Sequence, residues 1–429
     1  MKQPPRESPT QEFGHQFPSG GRERRTAAYL LVVLTAGAYL PSPLYPGYQE
    51  AFGFSDLAMT LIYATFALVS APALLLFGSA ADALGPRRVL RSSVVVAAVG
   101  STCFACAAGP VWLLAGRAAQ GLALGAATGA ATALLIHNAP EHKRPRASML
   151  AGMAFVSGTA AGPIAAGALA QYAPAPAVLP YLIHLVLLAE GMRRVSALSA
   201  APPHPRRWRP TCPHVPASLR QRFAVAATTG FLAWSAAGLF LAVIPATLSR
   251  AARIDDLAVT GGLVGAVLAC SVAAQPLVAR CGAPRAQLTG LGALMCALAV
   301  LAVTGGGSLP ATLLAALAAG TGHGMAYGGA TAAVDAAAPD RHRGAISSAL
   351  HLAFYLGAGG PAIAVGLLTL SHDLTTAVSW LSAAAALFTL PAATASVLVH
   401  RVRSAAVATM APVSSRSGQA ASSAVVGHT

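Results

Sequence analysis

Long apolar runs alternate with short polar links along the whole chain, and twelve runs are marked: 27–48, 57–80, 92–109, 111–136, 149–171, 175–191, 223–246, 258–279, 286–304, 309–334, 346–369 and 375–398. At about 1.5 Å per residue, such runs span a hydrocarbon layer of about 30 Å. Lipid offers the backbone no hydrogen-bond partner, so each run predicts an α-helix. Prolines and glycines interrupt many of them, as membrane helices allow where neighbours satisfy the freed groups. Pro41, Pro43 and Pro46 predict a bend or an end late in the first helix. The predicted fold is an all-α integral membrane protein with twelve transmembrane helices.

Composition agrees with the pattern. The chain of 429 residues is 55% hydrophobic and 10% charged, against about a quarter charged in soluble domains. A net charge of +15 raises the question of a nucleic-acid partner, but the cations fall in small clusters between apolar runs. Their placement is a topology signal instead. If all twelve runs cross, 25 of the 28 basic residues lie on the side of the N-terminus. Only Arg250 and Arg253 lie opposite, beside Asp255 and Asp256, and Arg117 alone lies within a span. Positive-inside logic places both termini in the cytoplasm. Arg24-Arg25 ahead of the first run resembles a twin-arginine signal weakly, and an uncleaved first helix is expected. Cys103 and Cys106 form a CxxC inside an apolar run without acid or histidine neighbours, which fits small packing residues. No cofactor and no metal are expected.

The longest polar interruption, Arg193–Arg222, divides the chain. The expected organisation is a cytoplasmic tail over 1–26, a six-helix bundle over 27–192, a cytoplasmic linker over 193–222, a second six-helix bundle over 223–399 and a cytoplasmic tail over 400–429. The halves echo each other. Gly121, Gly125 and Gly129 correspond to Gly320, Gly324 and Gly328, and Gly162-Pro163 corresponds to Gly360-Pro361. Gly85 and Arg88 match Gly282 and Arg285, although the second copy lacks the aspartate. Two pseudo-symmetric bundles with a substrate site between them follow from such duplication.

Between the second and third runs lies a tight basic bridge with Gly78, Asp82, Gly85, Arg87 and Arg88 in the spacing GxxxDxxGxRR. The fourth run reads RxxQGxxxG from Arg117 through Gln120 and Gly121 to Gly125. The fifth reads GxxxGPxxxG through Gly158, Gly162 and Pro163 to Gly167, with Ala166 where a glycine would complete the pattern. Together these resemble the major facilitator superfamily, and within it the bacterial branches that exchange drugs or metabolites for protons. The resemblance implies secondary transport by alternating access, in a bacterial cell membrane. The scarcity of lysine beside arginine, with abundant alanine, also hints at a GC-rich bacterial genome. Expected partners are a small-molecule substrate, protons and the bilayer, with the protein a monomer.

A guanidinium within a span costs several kcal/mol, so Arg117 is expected to face a wet cavity or a partner. The resemblance makes it a cavity residue that helps couple protons to cargo; snorkelling to the outer surface is the plainer alternative. Asp82, Arg87 and Arg88 are expected to gate, Asp82 accepting from the start of the eleventh helix near Ser347 and Ser348. The glycines of the fourth and fifth runs are expected to let helices approach closely. His323 lies mid-span, where an imidazole titrates near neutrality or simply holds a hydrogen bond. His184 is placed in an outward-facing helix, and His137 and His351 read as interfacial. Tyr39, Trp234, Phe240 and Tyr327 offer an aromatic wall for a bulky ligand, or pack in the protein or face lipid. The first helix holds no acid within its span, which leaves the proton carrier unassigned and uniport open. The expected activity is proton-coupled efflux of a small, partly apolar compound such as an antibiotic; the alternative is uptake of a sugar, organic acid or nucleoside. No P-loop, HExxH or GxSxG element is present, so the chain is not read as an enzyme.

Overall fold

The computed structural model describes residues 20–77, 80–198, 215–339 and 343–410. The first span is broken into α1 (Gly20–Tyr39) and α2 (Tyr45–Phe52). The N-terminal half continues with α3 (Asp56–Phe77), a short α4 (Ala80–Leu84), α5 (Pro86–Ala105), α6 (Pro110–His137), α7 (Arg144–Tyr172) and α8 (Leu179–Ser196). The C-terminal half opens with a second broken span, α9 (Arg220–Ala242) and α10 (Ile244–Arg250). It continues with α11 (Leu257–Cys281), α12 (Ala283–Thr304), α13 (Leu309–Asp335), α14 (Arg343–Leu368) and α15 (Leu374–Met410). The described residues therefore form twelve spans in two six-helix bundles. Below, the face where the chain enters and leaves is the terminal face, and the other is the far face.

Ten spans are long and apolar enough by themselves to cross a membrane. The remaining two are α8, which ends on Glu190, Arg193 and Arg194, and α13, whose middle reads GTGHGMAYGGAT. Several helices outrun their apolar segments at the terminal face: α1 starts at Gly20, α7 at Arg144, and α15 reaches Met410. Hydropathy marks only the stretch in lipid, whereas intrahelical hydrogen bonding continues into headgroups and water. At the far face Asp373 caps α15. Its carboxylate accepts from the Thr375 and Thr376 hydroxyls and the Thr376 N–H, which holds it well below the usual carboxylate range.

The duplication is visible in the backbone. Gly85 (φ 82°) precedes α5 and Gly282 (φ 81°) precedes α12, both in a region hostile to residues with a β-carbon. Prolines also break the first span of each half, at Pro41–Pro43 and again at Pro245.

The halves meet along two seams, α7 against α11 and α3 against α14. α7 serves two faces at once. Gly158 and Gly162, one turn apart, lie against α1 at Val32, Thr35 and Ala36. Pro163 and Gly167 lie against α11 at Leu257 and Gly261. Within the N-terminal half, Gly121 and Gly125 seat α6 on α3 at Phe66 and Ser70, and Ser70 Oγ donates to the Gly121 carbonyl at 3.1 Å. Small residues permit this approach, which supplies the van der Waals contact that holds helices together in lipid.

Candidate functional site

A narrow cavity of about 10 Å³, room for about one water molecule, lies on the seam, lined by Tyr39 from α1, Phe155 from α7, Trp234 from α9, Tyr327 from α13, and His351, Phe354, Tyr355 and Ala358 from α14. Both halves therefore contribute. The rings are mutually braced. Trp234 meets Phe155 edge-on at 6.0 Å and Tyr327 at 6.0 Å, and Tyr327 meets Phe354 at 5.2 Å. Each such pair adds about 0.5–1.5 kcal/mol beyond burial. The lining holds no carboxylate, ammonium or guanidinium.

Tyr39, Trp234 and Tyr327, singled out in the sequence, are thus brought together, whereas Phe240 is fully buried in α9 outside the lining. His323 stands behind them. It is fully buried, contacts Trp234 at 4.9 Å and Tyr327 at 5.5 Å, and shares a 2.8 Å hydrogen bond between Nδ1 and Ser271 Oγ. Its Nε2, Trp234 Nε1 and Gln275 Nε2 are buried polar atoms without a protein partner. Gln275 and Tyr327 both approach α7 at Gly152. Of these three residues Trp234 lines the cavity, and its unmade indole hydrogen bond is one that a ligand or water would complete.

Arg117 and Gln120 lie elsewhere, packed inside the N-terminal half between α1, α3 and α6. Pro41 lacks an N–H, so the Gly37 carbonyl loses its helical donor. Gln120 Nε2 replaces it at 2.9 Å. Arg117 Nη1 donates to the Ala38 carbonyl and to Gln120 Oε1 (3.2 Å), and Nη2 donates to the Tyr63 carbonyl at 3.2 Å. Its guanidinium carbon sits 4.9 Å from the Phe66 ring centre and 5.3 Å from that of Tyr63. The arginine therefore terminates the broken helix that carries Tyr39. His184 supports the same break from behind. It bonds Ser101 Oγ at 2.7 Å and the Val33 carbonyl at 3.0 Å, and its ring fills the space beside Gly37. It is buried between helices rather than directed outward.

Of the basic bridge, Gly78 and the Asp82 side chain lie outside the described residues. Arg87 Nη2 donates to the Ser196 carbonyl at 2.6 Å, placing a cation at the end of α8, while Arg88 is exposed. His351, read from sequence as interfacial, lines the cavity instead. Phe155, Phe354, Tyr355 and Gln275 escaped the sequence reading. In the eleventh apolar segment, the Phe354-Tyr355 pair and a lone histidine were the available signal.

Ionic contacts also join the halves. At the far face Arg250 forks onto Asp56 at 2.7 and 2.9 Å and donates to Gln49 Oε1 at 2.8 Å. Gln49 in turn donates to Asp56 at 2.9 Å. Nearby the Leu257 N–H donates to Gln171 at 2.9 Å. At the terminal face Ser148 Oγ donates to Asp335 at 3.0 Å. The Arg250 latch is partly exposed, so breaking it with Arg250→Ala should shift the balance toward far-face opening by only about two- to fivefold. Spin labels at Glu50 and Arg253 in a cysteine-free background would report the longer distance. The swap Asp56→Arg with Arg250→Asp should restore the short one.

No curated protein matches the sequence. Among solved structures, a bacterial homologue of the human lysosomal transporter Spinster, inward-facing and unoccupied, superposes with a TM-score of 0.68 at 16% identity. The match covers 90% of this chain and 97% of that one. A POT family transporter in complex with a thioalcohol-conjugated peptide gives 0.71 at 13% identity, over 90% and 96%. At such identities the likeness speaks for the fold alone. The sequence profile described as Major Facilitator Superfamily matches residues 27–362, from the first span into α14. A match that runs through both bundles and across their seam leaves one assignment: the chain belongs to the Major Facilitator Superfamily and is a membrane transporter.

Proposed function

We propose that the protein exports a small, partly apolar compound from a bacterial cell in exchange for protons, with both termini in the cytoplasm. The lining of the seam cavity carries this reading. Six aromatic rings from both halves offer an apolar, flat-walled site, and the unpartnered indole nitrogen of Trp234 offers a hydrogen bond for orientation. Sugar uptake fits this lining less well, because a polyol needs several Asn, Gln or acidic groups and the wall holds none. Arg117 and Gln120 would act indirectly, by holding the α1 break that presents Tyr39. Asp82, Arg87 and Arg88 would brace the terminal-face gate. The glycines at 121, 125, 158 and 162 would let closely packed helices rock.

Alternating access then requires the Arg250 latch and the Ser148–Asp335 contact to break in turn. The test is accumulation of ethidium, rhodamine 6G, chloramphenicol and tetracycline in cells with and without the protein. Lower accumulation that an uncoupler abolishes is expected for at least one compound. Accumulation unchanged across the panel would count against export.

A further inference from the structure

We propose that His351 is the proton-binding group of the seam cavity, taking a proton at Nε2 with the Asp335 carboxylate as its counter-charge. The proposal deepens the proton-coupled reading above and names the carrier that the first helix does not supply.

Three observations converge on this residue. Among the described residues His351 contributes the one imidazole of the cavity lining, since His323 stands behind Trp234 and Tyr327. Its Nδ1 lies 2.9 Å from the Ser347 carbonyl, one turn back on α14. A carbonyl oxygen only accepts, so Nδ1 carries the hydrogen and Nε2 is left with a bare lone pair. The ring is also held at its edge by Phe354, whose centre is 5.3 Å away. The tautomer is thus set by the backbone, and the basic nitrogen is the one not engaged by the helix.

The charged and titratable groups on the helices around it are few. α14 packs against α3, α9, α13 and α15. α3 contributes Tyr63 at mid-span and Asp56 at the far face; α9 has only Arg220 and Arg222, in its first turn. α15 has His400, Arg401 and Arg403 in its terminal-face extension, and α14 itself adds Arg343 and Tyr355. α13 contributes His323, Tyr327 and Asp335, and Asp335 alone of these is an acid at the terminal-face end, within electrostatic range of His351. His351 lies about 12 Å along α14 from its terminal-face start.

Asp335 links this event to movement. It accepts from Ser148 on α7, so the same carboxylate ties the halves together at the terminal face. When Nε2 takes a proton, the imidazolium keeps its Nδ1–H bond to Ser347 and draws on the Asp335 carboxylate. Protonation then competes with the Ser148 bridge and loosens the terminal-face seam.

The test uses full-length protein with 15N-labelled histidine in nanodiscs. One imidazole signal, absent from His351→Gln, should pass from the Nδ1–H tautomer at about pH 8.5 to the imidazolium at about pH 5. Asp335→Asn should lower its midpoint by about one unit, and this is read on protein that still holds His351, so it stands even if the Gln variant misfolds. A signal that stays neutral down to about pH 5 overturns the proposal. In proteoliposomes loaded with the four panel compounds, His351→Gln should reduce accumulation driven by an imposed pH gradient by a far larger factor than it reduces counterflow exchange. Retained gradient-driven accumulation overturns the assignment to His351 and leaves proton-coupled export standing. Conversely, a wild-type protein that titrates at His351 but moves none of the four compounds overturns the export reading alone.

Discussion

Gly261→Leu should hold the transporter open at its far face. Gly261 of α11 meets α7 at Pro163 and Gly167, where a β-carbon would fall well inside contact distance of the Pro163 carbonyl and 3.0 Å from the Gly167 Cα. Both obstacles are backbone, so no rotamer change relieves the clash. The two helices must part at this end. Overpacking of this kind costs about 1–3 kcal/mol. Because the cost applies only while α7 and α11 touch here, it becomes a population shift of roughly 5- to 150-fold toward the state in which they separate. Spin labels at Glu50 and Arg253 should then report the long distance as the major population, and turnover should fall because the far face no longer closes. Gly262→Leu is the control. Its β-carbon would meet nothing within 4 Å, and the distance distribution should stay as in the wild type.

The second large effect is expected at Arg117. Arg117→Ala removes the donors to the Ala38 and Tyr63 carbonyls and leaves Gln120 Oε1 without its partner. Each buried acceptor left unmade costs about 1–3 kcal/mol, offset in part by no longer burying a guanidinium. A net loss of about 2–4 kcal/mol is expected, seen as a lower melting temperature in detergent. Arg117→Lys should do no better than alanine. An ammonium keeps the burial cost but lacks the planar fork that serves two carbonyls and the glutamine together. Since Arg117 lies within the N-terminal half rather than on the cavity wall, transport rate should fall in both variants with little change in KM. A change confined to KM would instead put its guanidinium in contact with cargo.

Much of the architecture follows from order along the chain. Apolar run length dictates helices because lipid leaves the backbone no other partner, and the clustering of cations fits twelve crossings in alternation. The repeated glycines also announced the duplication: Gly85 and Gly282 share a positive φ because the same turn opens α5 and α12. The site was less legible. A pattern of residues identifies Arg117 as costly to bury but not which carbonyls compensate it, since those of Ala38 and Tyr63 lie on other helices, far away in sequence. His351 looked interfacial because depth in a helix was inferred from hydropathy alone, and hydropathy does not tell which face points at a cavity.

What the sequence determined by itself is therefore local and periodic: twelve apolar rods, their alternation, the proline breaks and the small residues that allow close approach. The pairing of α7 with α11 and of α3 with α14 was decided only in the folded bundle, as were the gathering of aromatic rings at the seam, the Arg250 latch and the placement of Arg117 behind rather than on the cavity wall. The physical reason is range. Helix formation in lipid is satisfied within one segment, whereas a cavity and its polar contacts depend on which faces of distant helices are brought together.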